Sequence, residues 1–278
     1  MSEPQQMTIR QPVFLEGIGL HTGRPVRMAV KPGEPDTGFT FVRTDIAGSP
    51  AIRASVDNIT RTVRCTTLGG EGRAEVQTVE HLLGALAGLG IDNAVIELDA
   101  PEIPIADGSA ATFVTLLEGA GLLPQPAPKH LLTLREAVWI TGKDSHIVAL
   151  PADVFKVSFI FTNRHPAVGT QYAEFVVEPE TFKREIAPAR TIGFMHEIEA
   201  LQRQGLALGG NLDIAVVVGE DGYLSPPRFP DEIVRHKILD LIGDLAVLGP
   251  LQAHIIALRS GHALDALLAR RIKEVAVG

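Results

Sequence analysis

Three prolines at every second position, Pro124, Pro126 and Pro128, interrupt the chain near its middle. A stretch this rich in proline reads as a linker and divides the 278 residues into two units of ordinary domain size, 1–125 and 129–278. Strand-like apolar runs in each half lead into one long helix, Val79–Leu89 in the first and Asp231–Leu248 in the second, which suggests a weak internal duplication. The first half shows this one clear helix. Strands are expected over Leu131–Ile140, Phe155–Phe161, Ile214–Val218 and Ile255–Leu258. The fold class implied is α+β.

Hydrophobic residues make up 45% of the chain and charged ones 21%, a balance that supplies a large core and excludes disorder. The net charge of -8 comes without a Lys/Arg cluster, so no nucleic-acid partner is expected, and an anionic ligand must meet local basic residues. The single cysteine, Cys65, rules out an internal disulfide and a Cys-rich zinc module. A metal would therefore rest on His and carboxylate side chains. Residues Met1–Pro12 are polar, without the apolar core of a secretory signal, and no apolar run approaches the length of ~20 residues that spans a bilayer. The expectation is a cytoplasmic monomer with at most peripheral membrane contact.

Within the second helix, His236, Asp240 and Asp244 recur at intervals of four and stack on one side, where two of them can chelate one ion. An isolated HxxxD is more often an i,i+4 pair on a solvated face. At the start of the first helix, Thr78 is positioned to cap, and Glu80 sits beside His81. A hydrolytic metal site needs three protein ligands, an open position for water and a carboxylate that takes the water's proton. His81, His236 and Asp240 can be the ligands and Glu80 the base, although an acid at a helix start is also ordinary dipole chemistry. His262 follows the small-residue turn Ser260-Gly261; held protonated by a carboxylate such as Asp244 it would serve as general acid, and unpartnered it is a surface histidine.

Taken in order, Gly17-Ile18-Gly19-Leu20-His21-Thr22-Gly23, Val79-Glu80-His81-Leu82-Leu83, Pro101–Ser109, Ala189-Arg190-Thr191-Ile192-Gly193-Phe194, Val234–Asp240, Ile242–Leu245 and Ser260-Gly261-His262 resemble the UDP-3-O-acyl-N-acetylglucosamine deacetylases, zinc amidases of lipid A synthesis. The resemblance covers nearly the whole chain. It implies two similar domains, each a β-sheet packed with helices, with the helices facing each other around the site and a βαβ insert at about 191–218 that forms an acyl-chain passage. It implies zinc, or iron, on His81, His236 and Asp240, with Glu80 as base and His262 as acid supported by Asp244. Thr191 and Lys237 match the groups that stabilise the oxyanion. Phe194 and Glu197 fall at substrate-binding positions, Arg259 stands where the family often has a Lys near the diphosphate, and the implied substrate is an acylated UDP-N-acetylglucosamine.

The chain departs from the family pattern at several places. Ile192 stands where Phe is common and keeps an apolar wall; Asn163 stands where an aromatic residue often packs near the nucleotide; Glu197 replaces an Asp of some members. Cys65 reads as a small buried thiol, because a fourth protein ligand would block the position that water needs. The Ile103–Ser109 segment reads as a structural turn. Two alternatives remain at this level: an inactive relative that binds a sugar nucleotide as a regulator, and a zinc amidase for another N-acetyl sugar.

Overall fold

Alternating apolar residues build the outer sheets, and helices that are apolar on nearly every side fill the space between them. In the segment Leu251–Leu258, Leu251, Ala253, Ile255 and Ala257 are buried while the residues between them are half-buried, the period of a strand with one face on a core. In the helix Glu80–Gly88, Leu82, Leu83, Ala85 and Leu86 are all fully buried, as expected of a helix packed on both sides.

The computed structural model describes residues 4–70 and 74–277. The first half contains β1 (Gln5–Ile9), β2 (Val13–Ile18), β3 (Pro25–Pro32), β4 (Phe39–Arg43), β5 (Ala51–Arg53), β6 (Ile59–Arg61), β7 (Thr67–Gly69), β8 (Glu75–Gln77), α1 (Glu80–Gly88), β9 (Ala94–Leu98), α2 (Ala111–Ala120) and β10 (Leu122–Pro128). The second contains β11 (Leu132–Thr133), β12 (Val138–Thr141), β13 (His146–Pro151), β14 (Lys156–Thr162), β15 (Thr170–Val176) and α3 (Pro179–Thr181), which continues into a π turn. It ends with β16 (Thr191–Phe194), α4 (Met195–Arg203), β17 (Ala215–Val218), α5 (Glu232–Leu245), β18 (Leu251–Leu258) and α6 (His262–Val275).

The two halves repeat one topology. The first sheet has the order β2-β3-β9-β4-β5 and the second β12-β13-β18-β14-β15, with β11 added on β18. In each sheet the central strand runs antiparallel to the second strand of the row and parallel to the fourth. The fold is thus α+β, two sheet-plus-helix units, with α1 and α5 packed against each other between the sheets. A Cβ on Gly243 of α5 would lie 1.9 Å from the Glu80 carbonyl oxygen, so only glycine permits this approach. Strands β16 and β17 pair in parallel from Thr191↔Ala215 to Phe194↔Val218, with α4 between them in sequence.

Four local expectations change. The proline stretch is not a free linker: β10 pairs antiparallel with β1, and Gln125 is buried, accepting from Asn93 and donating to the Gly33 carbonyl. Alternate prolines suit such a ribbon, because their missing N–H groups all face one edge, which a two-stranded sheet can leave unpaired. A second first-half helix, α2, follows the Ser109 turn. The run Leu131–Ile140 is two strands separated by Leu134–Ala137, a break that moves the chain from pairing with β18 to pairing with β13. Thr78 does not cap α1; at φ 59° it turns its hydroxyl to the Glu102 carboxylate, 2.8 Å away.

Candidate active site

The start of α1 and the middle of α5 bring three buried donors together. One ligand atom each from His81, His236 and Asp240 lies within 4.8 Å of the others. His236 reaches Asp240 because they are one helical turn apart, and its Nε2 lies 3.3 Å from Asp240 Oδ1. His81 Nε2, across the helix interface, is 3.5 Å from the same oxygen. His236 Nδ1 lies 3.1 Å from the Ala189 carbonyl, which can only accept, so the proton sits on Nδ1 and Nε2 offers a lone pair. Burial pushes His236 down to about 4, keeping it neutral. A neutral nitrogen and a carboxylate oxygen thus face each other without a hydrogen between them, an arrangement that a divalent cation satisfies. Two nitrogens and one oxygen, all buried, are the donor set of a catalytic metal with a position to spare.

Two proton-handling groups flank this triad. Burial raises Glu80 to about 7, against the opposing pull of His262 and His81. On its own, burial would lower His262, yet Asp244 raises it by charge and by hydrogen bond, with Glu80 and Asp240 adding to the effect, to about 10. His262 Nδ1 donates to Asp244 Oδ2 at 2.7 Å, which leaves Nε2 as its second donor. The ordering of the two values is that of a base beside an acid. Thr66 joins them: its backbone N–H donates to Glu80 Oε2 at 3.0 Å and its hydroxyl to Asp244 Oδ1 at 2.6 Å. Cys65 is a buried thiol pushed up to about 12 by burial and lies outside the metal triad.

Glu80, His81, His236, Asp240 and His262 line one cavity of about 250 Å³, whose wall also includes Thr191 and Lys237. Lys237 Nζ donates to Asp240 Oδ2 at 2.7 Å, so it holds the carboxylate oxygen that does not face the histidines. Thr191 is fixed at the start of β16, where its backbone N–H donates to the Gly108 carbonyl at 2.8 Å. Gly108, at φ 79°, comes so close to β17 that a Cβ there would lie 1.6 Å from the Ile214 carbonyl oxygen. The turn before Ser109 is therefore the first half's grip on the strand that carries Thr191. A larger cavity of about 590 Å³ lies beside the C-terminal ends of α1 and α5, but the titratable cluster lines the smaller one.

Comparison with known proteins decides the relationship. The family model described as LpxC, UDP-3-O-acyl N-acetylglycosamine deacetylase, matches residues 6–274. The chain belongs to this deacetylase family. Relatives named UDP-3-O-acyl-N-acetylglucosamine deacetylase include one from Syntrophotalea carbinolica, 43% identical over 96% of this chain and 87% of the relative. Another, from Myxococcus xanthus, is 44% identical over 98% of the chain and 87% of its own length. A third, from Nostoc sp., is 45% identical over 96% of the chain and 98% of its own length.

The three substrate-binding candidates of this deacetylase family line a second cavity, of about 650 Å³, formed by Phe194, Glu197 and Arg259 together with Asn163, Arg164 and His196. Glu197 is already engaged across the halves, 2.9 Å from the Arg64 guanidinium. The side chain of Asn163 accepts from the His165 N–H at 2.8 Å and so shapes its own loop. Ile192 remains at the wall of the first cavity. His21 is buried, and its backbone N–H donates to Glu102, the carboxylate that also accepts from Thr22 and Thr78.

Five further residues take part that residue type and spacing did not single out. Thr66, next to Cys65, and Glu102, within the Pro101–Ser109 match, have side chains to which type and spacing assign no role. The Ala189 carbonyl that fixes the His236 tautomer is backbone, invisible in side-chain patterns. Arg190 and Glu232 form a buried ion pair at 2.9 Å that ties β16 to α5, and only the adjacency of Arg190 to Thr191 pointed toward it.

Proposed function

We propose that this chain is a zinc-dependent hydrolase that removes the acetyl group of UDP-3-O-acyl-N-acetylglucosamine, releasing acetate and the free amine, in lipid A biosynthesis. The observation that carries this reading is the convergence of Glu80, the His81/His236/Asp240 triad and the Asp244-held His262 on one cavity. Zinc held by that triad supplies a Lewis acid for the acetamide carbonyl and lowers the pKa of water. Glu80 takes the proton of the attacking water. Thr191 and Lys237 donate toward the negative oxygen of the tetrahedral intermediate, where a positioned donor has most effect. His262 gives its Nε2 proton to the departing amine.

The same reading assigns the second cavity to the nucleotide, with Arg259 near the diphosphate, and the β16–α4–β17 unit at about 191–218 to the acyl chain. It divides the chain into domains 1–125 and 129–278 that together make one site. The working protein is a cytoplasmic monomer that meets the bilayer only at its surface. Among the described residues no helix is long and apolar enough to cross a membrane.

The test is amine release from the acylated UDP-N-acetylglucosamine by purified protein, with and without chelation and zinc restoration, alongside Glu80→Ala. Turnover that vanishes with chelator, returns with zinc and collapses in the variant supports the proposal. Turnover only on a different N-acetyl sugar replaces the substrate, and absence of any amidase activity in zinc-loaded protein overturns the reading.

A further inference from the structure

Thr66 stands in a short connection that reaches from the first half into the site. It follows Arg64, whose φ is 66°, and precedes β7. Three of its groups are engaged. Its carbonyl accepts from the Val79 N–H, just before α1; its N–H donates to Glu80 Oε2 at 3.0 Å; its hydroxyl donates to Asp244 Oδ1 at 2.6 Å, a contact between residues 178 positions apart. The residue is 1% exposed, so water does not substitute for any of these bonds.

The consequence lies in how the Asp244 carboxylate is shared. Its Oδ2 accepts from His262 Nδ1 at 2.7 Å, and its Oδ1 accepts from Thr66. The two donors clamp the carboxylate plane from opposite ends. The direction of the His262 ring follows that plane, because among the described residues its one side-chain hydrogen bond is the Nδ1 bond to Asp244. The same Thr66, through its backbone, fixes one oxygen of Glu80.

We propose that Thr66 is a positioning residue that sets the base and the acid relative to each other across the two halves, its N–H registering Glu80 and its hydroxyl registering the Asp244–His262 pair. Thr66 itself is not among the residues that line the catalytic cavity. The proposal rests on the assignment of Glu80 and His262 given above. Without the hydroxyl, Asp244 Oδ1 is a buried acceptor with no partner, and the carboxylate can rotate and carry His262 away from the leaving group.

The experiment compares Thr66→Val, which keeps shape and backbone but lacks the donor, with Thr66→Ser, which restores it. Steady-state deacetylation by the zinc-loaded full chain is expected to show kcat lowered about 10- to 100-fold in Thr66→Val with KM within about twofold, and recovery to within about threefold in Thr66→Ser. In a His262→Ala background, Thr66→Val is expected to cost no more than about another twofold, because the hydroxyl acts through that histidine. A second readout needs no turnover: the low-field Nδ1 proton resonance of His262 in metal-free protein, assigned by its loss in His262→Ala, shifts or broadens in Thr66→Val and returns in Thr66→Ser. Equal impairment of the Val and Ser variants, an additive loss in the His262→Ala background, or an unmoved Nδ1 signal overturns the proposal. If the unaltered chain has no deacetylase activity, the proposed function fails by itself, and the resonance still decides whether Thr66 positions His262.

Discussion

Gly243 of α5 lies against the Glu80 carbonyl so closely that a methyl group at 243 would be 1.9 Å from the oxygen. The helix carrying two metal-ligand candidates is thereby pressed onto the first turn of the helix carrying the third and the base. Gly243→Ala is expected to destabilise the fold by about 1–3 kcal/mol or more, since backbone cannot yield as a flexible side chain would. It should also lower kcat, because α1 must shift at Glu80. Urea unfolding and steady-state rates check both; a variant of normal stability and normal kcat would show that the helices tolerate a wider spacing.

The pH profile follows from the two flanking groups. Glu80, near 7, must be deprotonated to act as base, so activity rises as pH climbs through its pKa. His262, near 10, must be protonated to act as acid, so activity falls as pH climbs through its pKa. A bound divalent cation favours the deprotonated form of each group, so both limbs should lie below those values. His262→Ala is expected to remove the alkaline limb and keep the acidic one. An alkaline limb unchanged in that variant would assign it to another group.

Metal removal should register in stability as well as activity. Zinc at about 100 times its Kd stabilises a protein that binds it only when folded by about 2.7 kcal/mol. Thermal unfolding with and without chelator should show this difference in the unaltered chain. Asp240→Ala, which removes the oxygen shared by both histidines, should unfold at the same temperature with or without zinc. A full zinc-dependent shift in that variant would place the metal elsewhere.

Arg190 and Glu232 make the buried pair beside Thr191, with side-chain exposures of 8% and 0%. Glu232→Ala leaves the guanidinium buried without its carboxylate and should cost about 3–5 kcal/mol. Pairing it with Arg190→Met should recover part of that loss. Denaturant midpoints decide: equal stability of Glu232→Ala and the unaltered chain would mean that water reaches Arg190.

The chemistry was legible in the sequence where it follows a helical period or a tight motif. His236 and Asp240 are four apart, Glu80 and His81 open a helix, and His262 follows a small-residue turn; residue type and spacing offered them only as candidates, and the resemblance to the deacetylases gave them their roles. What escaped was set by distance along the chain. The Thr66 contact with Asp244 spans 178 positions, and Glu102 collects donors from His21, Thr22 and Thr78 at separations of 81, 80 and 24. The matched strand order of the two sheets depends on which strands pair, which periodicity does not specify. The proline stretch misled because its composition is that of a spacer; its pairing rests on the partner strand and on Gln125, whose amide is satisfied only in the folded chain.

The same ribbon sets how the chain crosses from one half to the other. After β10 the chain is still held, since the Lys129 N–H donates to the Pro4 carbonyl and its side chain lies 3.0 Å from Asp92 Oδ2. At Leu132 it is already hydrogen-bonded into the second sheet through β11. Only His130 and Leu131 separate the two anchorages. This short crossing and the α1–α5 contact are two separate ties between the halves, so the residues that each half contributes to the cavity are joined both through the chain and through packing.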